Sequence, residues 1–506
     1  MESKKRATAK NMLISIIYQF VTIVLGFIIP QLFLKTYGPQ IHGLTSSITN
    51  LMSYVLLLNA GLNTASVQAL YEPLSKKDFY RLNAILNAIK NYYINTGILF
   101  TVVIIVISFI LPLFIQGIPS ETVSILMLIM GLQSVVDCFL VSKYRILLQA
   151  DQKLYVYIII SIVTLILRGI IQIYLISTKA SVILVQAVPT IALFITWLLQ
   201  FLYTNSNYPM LNKKIKPDKK SLSKRWSAFV HQITGLVVNN VDIFILTLSG
   251  NMILVSIYSV YQMIFTHLNN MMTNVFSQGV VASFGHIMIS KDITLLRKNF
   301  NLYEFIYFII ITFVYSVCAV MILPFIELYT EGINEVNYTD PLIALMFLIT
   351  ALLSNYRVPG LMLINAGGLY QETKMRAIIE AIIKFITSII FFYIFDIYGL
   401  LLGSILSFSY RLIDVIIFSN KKILVQSPVK TFYRISRSII IISTCIVLYS
   451  LTTNLFSISN WLDWVYFSMV VTMFAGFMSL SINLIEFNQI REMFTLIKRL
   501  TRNKNC

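Results

Sequence analysis

Charge is scarce in this 506-residue sequence. Asp, Glu, Lys and Arg together make up 12% of it, against about 25% in soluble domains, so an ordinary water-soluble domain is excluded. Acidic residues are the scarcer sign, 21 against 39 Lys and Arg. Only four cysteines occur, Cys138, Cys318, Cys445 and Cys506. They lie far apart, three of them in apolar runs, with neither metal-ligand nor disulfide spacing, and read as small buried apolar residues. The sequence also lacks a G-x-x-x-x-G-K-[ST] phosphate loop, an H-E-x-x-H zinc site, a D-x-D pair for a nucleotide sugar and any nucleophile elbow. ATP hydrolysis and catalysis are therefore not expected, nor is a cofactor or metal.

What is present is apolar: 57% of residues are hydrophobic and the mean hydropathy is +0.79. A membrane-crossing helix needs about 20 mostly apolar residues. That rule gives fourteen candidate spans, at 12–34, 44–70, 91–115, 122–148, 155–177, 181–203, 228–250, 252–287, 301–326, 341–366, 377–395, 398–419, 437–456 and 463–485. The first follows "MESKKRATAK", is longer than a signal-peptide core and precedes no small-residue cleavage site, so it is expected to be retained. The eighth is long for one helix, with Gly279 and Gly285 as candidate bends. Placing both termini in the cytoplasm puts 33 of the 39 Lys and Arg in cytoplasmic segments or at the cytoplasmic ends of spans, and only Lys35 and Lys179 outside, the bias that sets orientation. This placement accounts for the net charge of +18 without a nucleic-acid partner. External loops are short; the longest, "ELYTEGINEVNYTD", has no domain-sized bulk.

The expected class is an all-α polytopic membrane protein: a six-helix lobe (1–203), a basic cytoplasmic linker (204–227), a second six-helix lobe (228–419), and two further spans with a basic tail (420–506). The linker contains "NKKIKPDKKSLSKRW", which suits a topogenic segment or one attracted to anionic lipid. An even number of spans per lobe gives a repeat of the parallel kind found in transporters. "RILLQADQK" (145–153) resembles "LMLINAGGL" (361–369), and aligning Ala150 with Ala366 sets Arg168 opposite Lys384.

Ionisable residues at bilayer depth are costly and mark candidate sites. Arg168, in "LILRGIIQIYLI", has no acid within its own helix turn. Arg357 precedes "VPG", where Pro359 and Gly360 should break the tenth span. Lys384 has Glu380 four residues earlier, an arrangement that neutralises locally. Arg411 and Asp414 are three apart and suit a self-paired, snorkelling end. Asp137 and Asp242 are candidate partners for Arg168 or Arg357 and equally candidate cation-coupling sites, with Asn239 and Asn240 adding amides to the turn before Asp242. His231 and His267 read as packing residues before proton relays. A guanidinium in a cavity recognises phosphate oxygens through bidentate hydrogen bonds and an ammonium does so as a point charge, so Arg168, Arg357 and Lys384 are candidates for holding an anionic headgroup.

Three stretches carry a resemblance: "LKTYGPQIHGLTSSITNLMSYVLLLNAGLNTASVQALYEPLSKKD" (34–78), "NNVDIFILTLSGNMILVSIYSVYQ" (239–262) and "INAGGLYQETKMRAIIEAIIKFITSIIFFYIFDIYGLLLGSILSFSYRLIDVII" (364–417). In this order, with fourteen spans, they resemble the bacterial Wzx-type polysaccharide repeat-unit flippases of the multidrug/oligosaccharidyl-lipid/polysaccharide (MOP) exporter superfamily. The resemblance implies a plasma-membrane transporter, two MATE-like lobes and a cationic central cavity. The implied substrate is an oligosaccharide linked through pyrophosphate to undecaprenol, with membrane lipids and other polysaccharide-assembly proteins as partners. The carried glycan would serve capsule, O-antigen or another surface polymer. A cation or drug antiporter of the same superfamily, or a membrane polysaccharide polymerase or ligase, are the rival expectations.

Overall fold

In hydrocarbon a long apolar run satisfies all its backbone N–H and C=O groups only as a helix or a closed barrel. Among the described residues all regular structure is helical. The computed structural model describes residues 2–56, 62–212, 214–218, 226–277, 280–452, 458–492 and 495. Among these, 11 helices are long and apolar enough to cross a membrane. Large apolar side chains such as Phe109, Ile170 and Met473 stand exposed on them, as surfaces facing lipid do. The chain is a polytopic all-helical membrane protein.

It divides into two compact units, Met1–Ser259 and Val260–Cys506. The first unit contains α1 (Glu2–Leu56), α2 (Leu62–Lys76), α3 (Phe79–Ile110), α4 (Ser120–Val136), α5 (Ser142–Ala150), α6 (Leu154–Ser177), α7 (Val182–Asn207), α8 (Trp226–Leu248) and the start of α9 (Met252–Ser277). The second contains the rest of α9, then α10 (Val280–Ile289), α11 (Ile293–Tyr329), α12 (Pro341–Tyr356), α13 (Val358–Ala366), α14 (Tyr370–Phe395), α15 (Ile397–Ile417), α16 (Val429–Thr452) and α17 (Trp461–Asn483).

The spans expected at 12–34 and 44–70 begin as one helical run, α1, which bends at Gly38 (φ 80°). The run at 252–287 is two helices, α9 and α10; Gly285 lies inside α10, and Gly279 is outside the described residues. Side-chain caps fix several starts. Asp78 accepts from Arg81 N at 2.9 Å, and Asp340 accepts from Leu342 N at 2.8 Å. Asp292 accepts from Leu295 N at 2.9 Å at the head of α11. The Thr294 hydroxyl and this amide together hold the Asp292 carboxyl below its usual range.

Within the first unit α1 lies along α6, α3 along α4, and α7 against both α4 and α6. At Gly43 α1 comes so close to α9 that an added Cβ would sit 1.8 Å from the Met252 carbonyl oxygen. In the second unit α14 and α15 pack along each other. "GLLLG" makes this possible, because small residues four apart let two backbones approach. A Cβ at Gly399 would lie 2.0 Å from the Phe391 carbonyl oxygen, and one at Gly403 would lie 2.7 Å from Ser388 N.

The repeat alignment has a structural counterpart. Ala150 and Ala366 each end a nine-residue helix, α5 and α13, that follows an interruption of a longer one. The first interruption is a π-helical turn, Asp137–Val141, between α4 and α5. The second is Arg357, between α12 and α13. Pro359 has no N–H to give the Asn355 carbonyl, so the break falls just before it. Arg168 and Lys384 are each the fifteenth residue of the next helix, α6 and α14.

The last two helices pack on α11 through Val320, Met321, Ile441, Cys445, Phe467 and Val471. At one end of this contact lies an ion network that the sequence reading did not single out. Arg434, with no exposed side-chain surface, donates to Glu304 at 2.7 Å and to Glu486 at 2.6 Å. Arg437 reaches Glu486 at 2.9 Å, Lys430 reaches it at 3.3 Å, and the Thr431 hydroxyl donates to Glu304 at 2.9 Å. Removing one partner of a buried pair strands the other charge and costs about 3–5 kcal/mol. Arg434→Leu should therefore lower the melting temperature of the detergent-purified protein substantially, and more than Lys430→Gln, whose side chain is half-exposed. Equal melting of wild type and Arg434→Leu would show that the network does not hold α16 and α17.

Candidate functional site: cations of the two units

Arg168 lies half-buried on α6, beside Tyr18 of α1, and its Nε is enclosed without a hydrogen-bond partner among the described residues. The next residue, Gly169, lets α1 close in through Leu25. Asp137, a candidate partner for Arg168, is occupied elsewhere. It pairs with Arg145 at 3.7 Å, and the Ser142 hydroxyl donates to it at 2.8 Å. The π turn brings this about: the extra residue turns Ser142 back onto the carboxylate five positions earlier. Such turns recur at functional sites.

Asp242 is buried and accepts from the Tyr258 hydroxyl at 2.6 Å. Asn240, two residues earlier and turned toward α1, donates from Nδ2 to the Leu236 carbonyl at 3.1 Å and accepts at Oδ1 from Asn50 Nδ2 at 3.1 Å. Asn239 is exposed and donates to the Gly235 carbonyl at 2.6 Å. These groups continue a polar seam that joins α1 to α8 and α9. Thr247 donates to Ser47 at 2.8 Å, and His42 Nδ1 meets Ser256 Oγ at 2.8 Å. The seam was not foreseen, since isolated Ser, Thr and His residues in apolar runs give no periodic signal. His267 is half-buried on α9, and the His231 side chain lies outside the described residues.

The second unit gathers the densest intramembrane charge. Arg357 pairs with Glu380 of α14 and lies over the Phe408 ring, its guanidinium carbon 4.7 Å from the centroid. Arg411 of α15 reaches the same Glu380 at 3.4 Å and Asp414 at 2.9 Å. Arg376 also pairs with Asp414. Glu380, expected to pair locally with Lys384, is shared by two arginines from other segments. Lys384 is fully buried and donates to Ser404 of α15. Thus three arginines (Arg357, Arg376 and Arg411) pair with two carboxylates (Glu380 and Asp414), and a fourth cation, Lys384, lies one turn beyond Glu380 on α14. The cluster is cationic by two, a composition suited to an anion. Arg357 and Lys384 fall within it, while Arg168 belongs to the first unit. Arg376 was not anticipated, although its spacing of one turn before Glu380 placed it on the same face of α14. No group of three or more His, Cys, Asp or Glu able to hold a metal occurs among the described residues.

No family model matches the sequence, and no curated protein matches it. Solved structures do. An inward-facing multidrug-resistance MATE family transporter of the MOP superfamily superposes with a TM-score of 0.66 at 12% identity, over 79% of this chain and 94% of its own. The lipid II flippase MurJ in an inward closed conformation gives 0.64 at 19% identity, over 94% of this chain and 99% of its own. A MOP superfamily transporter from Pyrococcus furiosus, described as having a binding pocket of reversed polarity, gives 0.53 at 13% identity, over 84% and 97%. The protein has the fold that these transporters and this flippase share.

Proposed function

We propose that the protein is a MOP-type flippase that moves an undecaprenyl-pyrophosphate-linked oligosaccharide from the cytoplasmic to the outer face of a bacterial plasma membrane. The observation that carries this reading is the excess of cations over carboxylates around Glu380 and Asp414, with Arg168 of the first unit, whose Nε has no hydrogen-bond partner among the described residues, as a second cationic position. The likeness to the lipid II flippase across 94% of the chain supports it. Two six-helix lobes, 1–203 and 228–419, joined by the basic segment 204–227, would alternate access by rocking, with both termini cytoplasmic. The headgroup passes through the polar interior while the polyprenyl tail stays in lipid. Arg168, Arg357 and Lys384 offset the pyrophosphate's lost hydration. An inside-negative potential drives an anion outward by about 2.3 kcal/mol per charge per 100 mV, so ATP is not required. The carried unit serves a capsule, an O-antigen or another surface polysaccharide.

A drug or cation antiporter is the second reading, favoured by the MATE likeness. It calls for carboxylates available to a cation, whereas Asp137 is held by Arg145 and Asp242 by Tyr258.

In cells depleted of the protein, lipid-linked oligosaccharide should accumulate shielded from a membrane-impermeant sugar-modifying reagent. Accumulation in reagent-accessible form would instead point to a polymerase or ligase, and sensitivity to cationic dyes without accumulation would point to the antiporter. Arg168→Ala and Lys384→Gln should each lower export by about tenfold or more, the loss of one charge-assisted hydrogen bond or pair, with the variants still inserted and monodisperse. Full export by both variants would remove these residues from the mechanism.

A further inference from the structure

The ion pairs of the second unit form one line of alternating sign: Arg357, Glu380, Arg411, Asp414, Arg376. Each carboxylate divides its oxygens between two arginines. Glu380 gives Oε1 to Arg357 and Oε2 to Arg411, whose Nε lies at 3.4 Å. Asp414 gives Oδ1 to Arg376 and Oδ2 to Arg411, whose Nη1 lies at 2.9 Å. Arg411 is therefore common to both carboxylates, while Arg357 and Arg376 stand at the two ends. Exposure follows the same order. The Arg411 side chain is 6% exposed, against 13% for Arg357 and 35% for Arg376.

This order decides which cations an incoming anion can take. A buried carboxylate that loses its last cation is strongly unfavourable. An anion that took Arg411 would remove the partner common to Glu380 and Asp414. An anion that takes Arg376 or Arg357 leaves Asp414 or Glu380 still paired with Arg411. The end arginines are also the two with open surface. Aromatic rings of α15 steady both of them. The Arg357 guanidinium carbon lies 4.7 Å from the Phe408 centroid, and that of Arg376 lies 5.1 Å from the Phe418 centroid. These contacts do not involve the carboxylates, so each guanidinium keeps its place when its partner changes.

We propose that Arg357 and Arg376 bind the transported anion by exchange: phosphate oxygens replace Glu380 at Arg357 and Asp414 at Arg376, while Arg411 keeps both carboxylates. This inference rests on the flippase reading and deepens it, adding Arg376 to the binding residues and making Asp414 and Glu380 built-in competitors of the substrate. A diphosphate suits the exchange, because its two linked phosphates offer an acceptor group to each arginine. The exchange also has a mechanical consequence. Arg357 occupies the break between α12 and α13, so its release from Glu380 unties that junction from α14. Arg411 meanwhile still ties α15 to α14. Binding of the anion is thus felt at the broken helix.

The test titrates full-length protein in nanodiscs with farnesyl diphosphate, a short polyprenyl diphosphate, against empty discs as the baseline. Arg376→Gln should weaken binding by about tenfold or more, the loss of a charge-assisted contact. Arg376→Lys, which keeps the charge without the planar fork, should fall between. Asp414→Asn should tighten binding by about threefold or more, because the competitor is gone. That gain should vanish in the Arg376→Gln background. A carboxylate with only a structural role would not tighten binding when neutralised. Monodispersity and melting temperature verify folding, and Glu380→Gln repeats the test at Arg357 if Asp414→Asn does not fold. Saturable binding by wild type with unchanged affinity in Arg376→Gln, or without tightening in the neutralised variant, overturns the exchange and leaves the flippase reading standing. No saturable binding by wild type overturns the exchange and the diphosphate substrate together.

Discussion

A charge inside hydrocarbon must bring its partner with it, because no water is there to supply one. Much of the side-chain architecture of this protein follows from that constraint. Glu380 serves two arginines, from the α12–α13 junction and from α15, and so ties three segments of the second unit together. Arg434 does the same for α11, α16 and the turn that follows α17 by spanning Glu304 and Glu486. Apolar contacts alone discriminate poorly between helices in lipid, which is as apolar as Leu. Shared ions select which helices meet and at what depth.

The two repeat-related cations meet the same constraint in different ways. Lys384 is fully enclosed and donates to Ser404, on the helix that "GLLLG" brings close. Arg168, at the same position in its helix, keeps an enclosed Nε without a hydrogen-bond partner among the described residues. An equivalent place in two halves is therefore stabilised locally in one and left open in the other. Under the flippase reading proposed above, the two halves share a plan while dividing the work of holding an anion.

The fold was largely legible because length and hydropathy are strong signals: most expected spans are found as helices, and the break in the tenth lies at "RVPG". The candidate site was legible only as a roster of charges. Spacing along α14 suggested that Glu380 answers Lys384, since four residues make one helical turn. The two arginines that reach Glu380 come from other segments, which a single sequence does not reveal. Arg434 was read as a cytoplasmic loop cation, although Lys430, Arg434 and Arg437 recur along one helix face and Glu304 stands in an expected span. The seam through Ser47, Thr247, His42 and Ser256 joins positions some two hundred residues apart and left no local trace.

The π turn at Asp137–Val141 holds one residue more than a regular helical turn would. Removing one residue there would restore ordinary helix without leaving a backbone amide unpaired, so the deletion should be well tolerated by the backbone. It would also rotate the rest of that helix by about 100°, carrying Lys143 and Arg145 off the faces they now occupy. The extra residue thus acts as a spacer that sets the rotational phase of α5. In this part of the chain the count of residues, as much as their identity, aims the basic side chains.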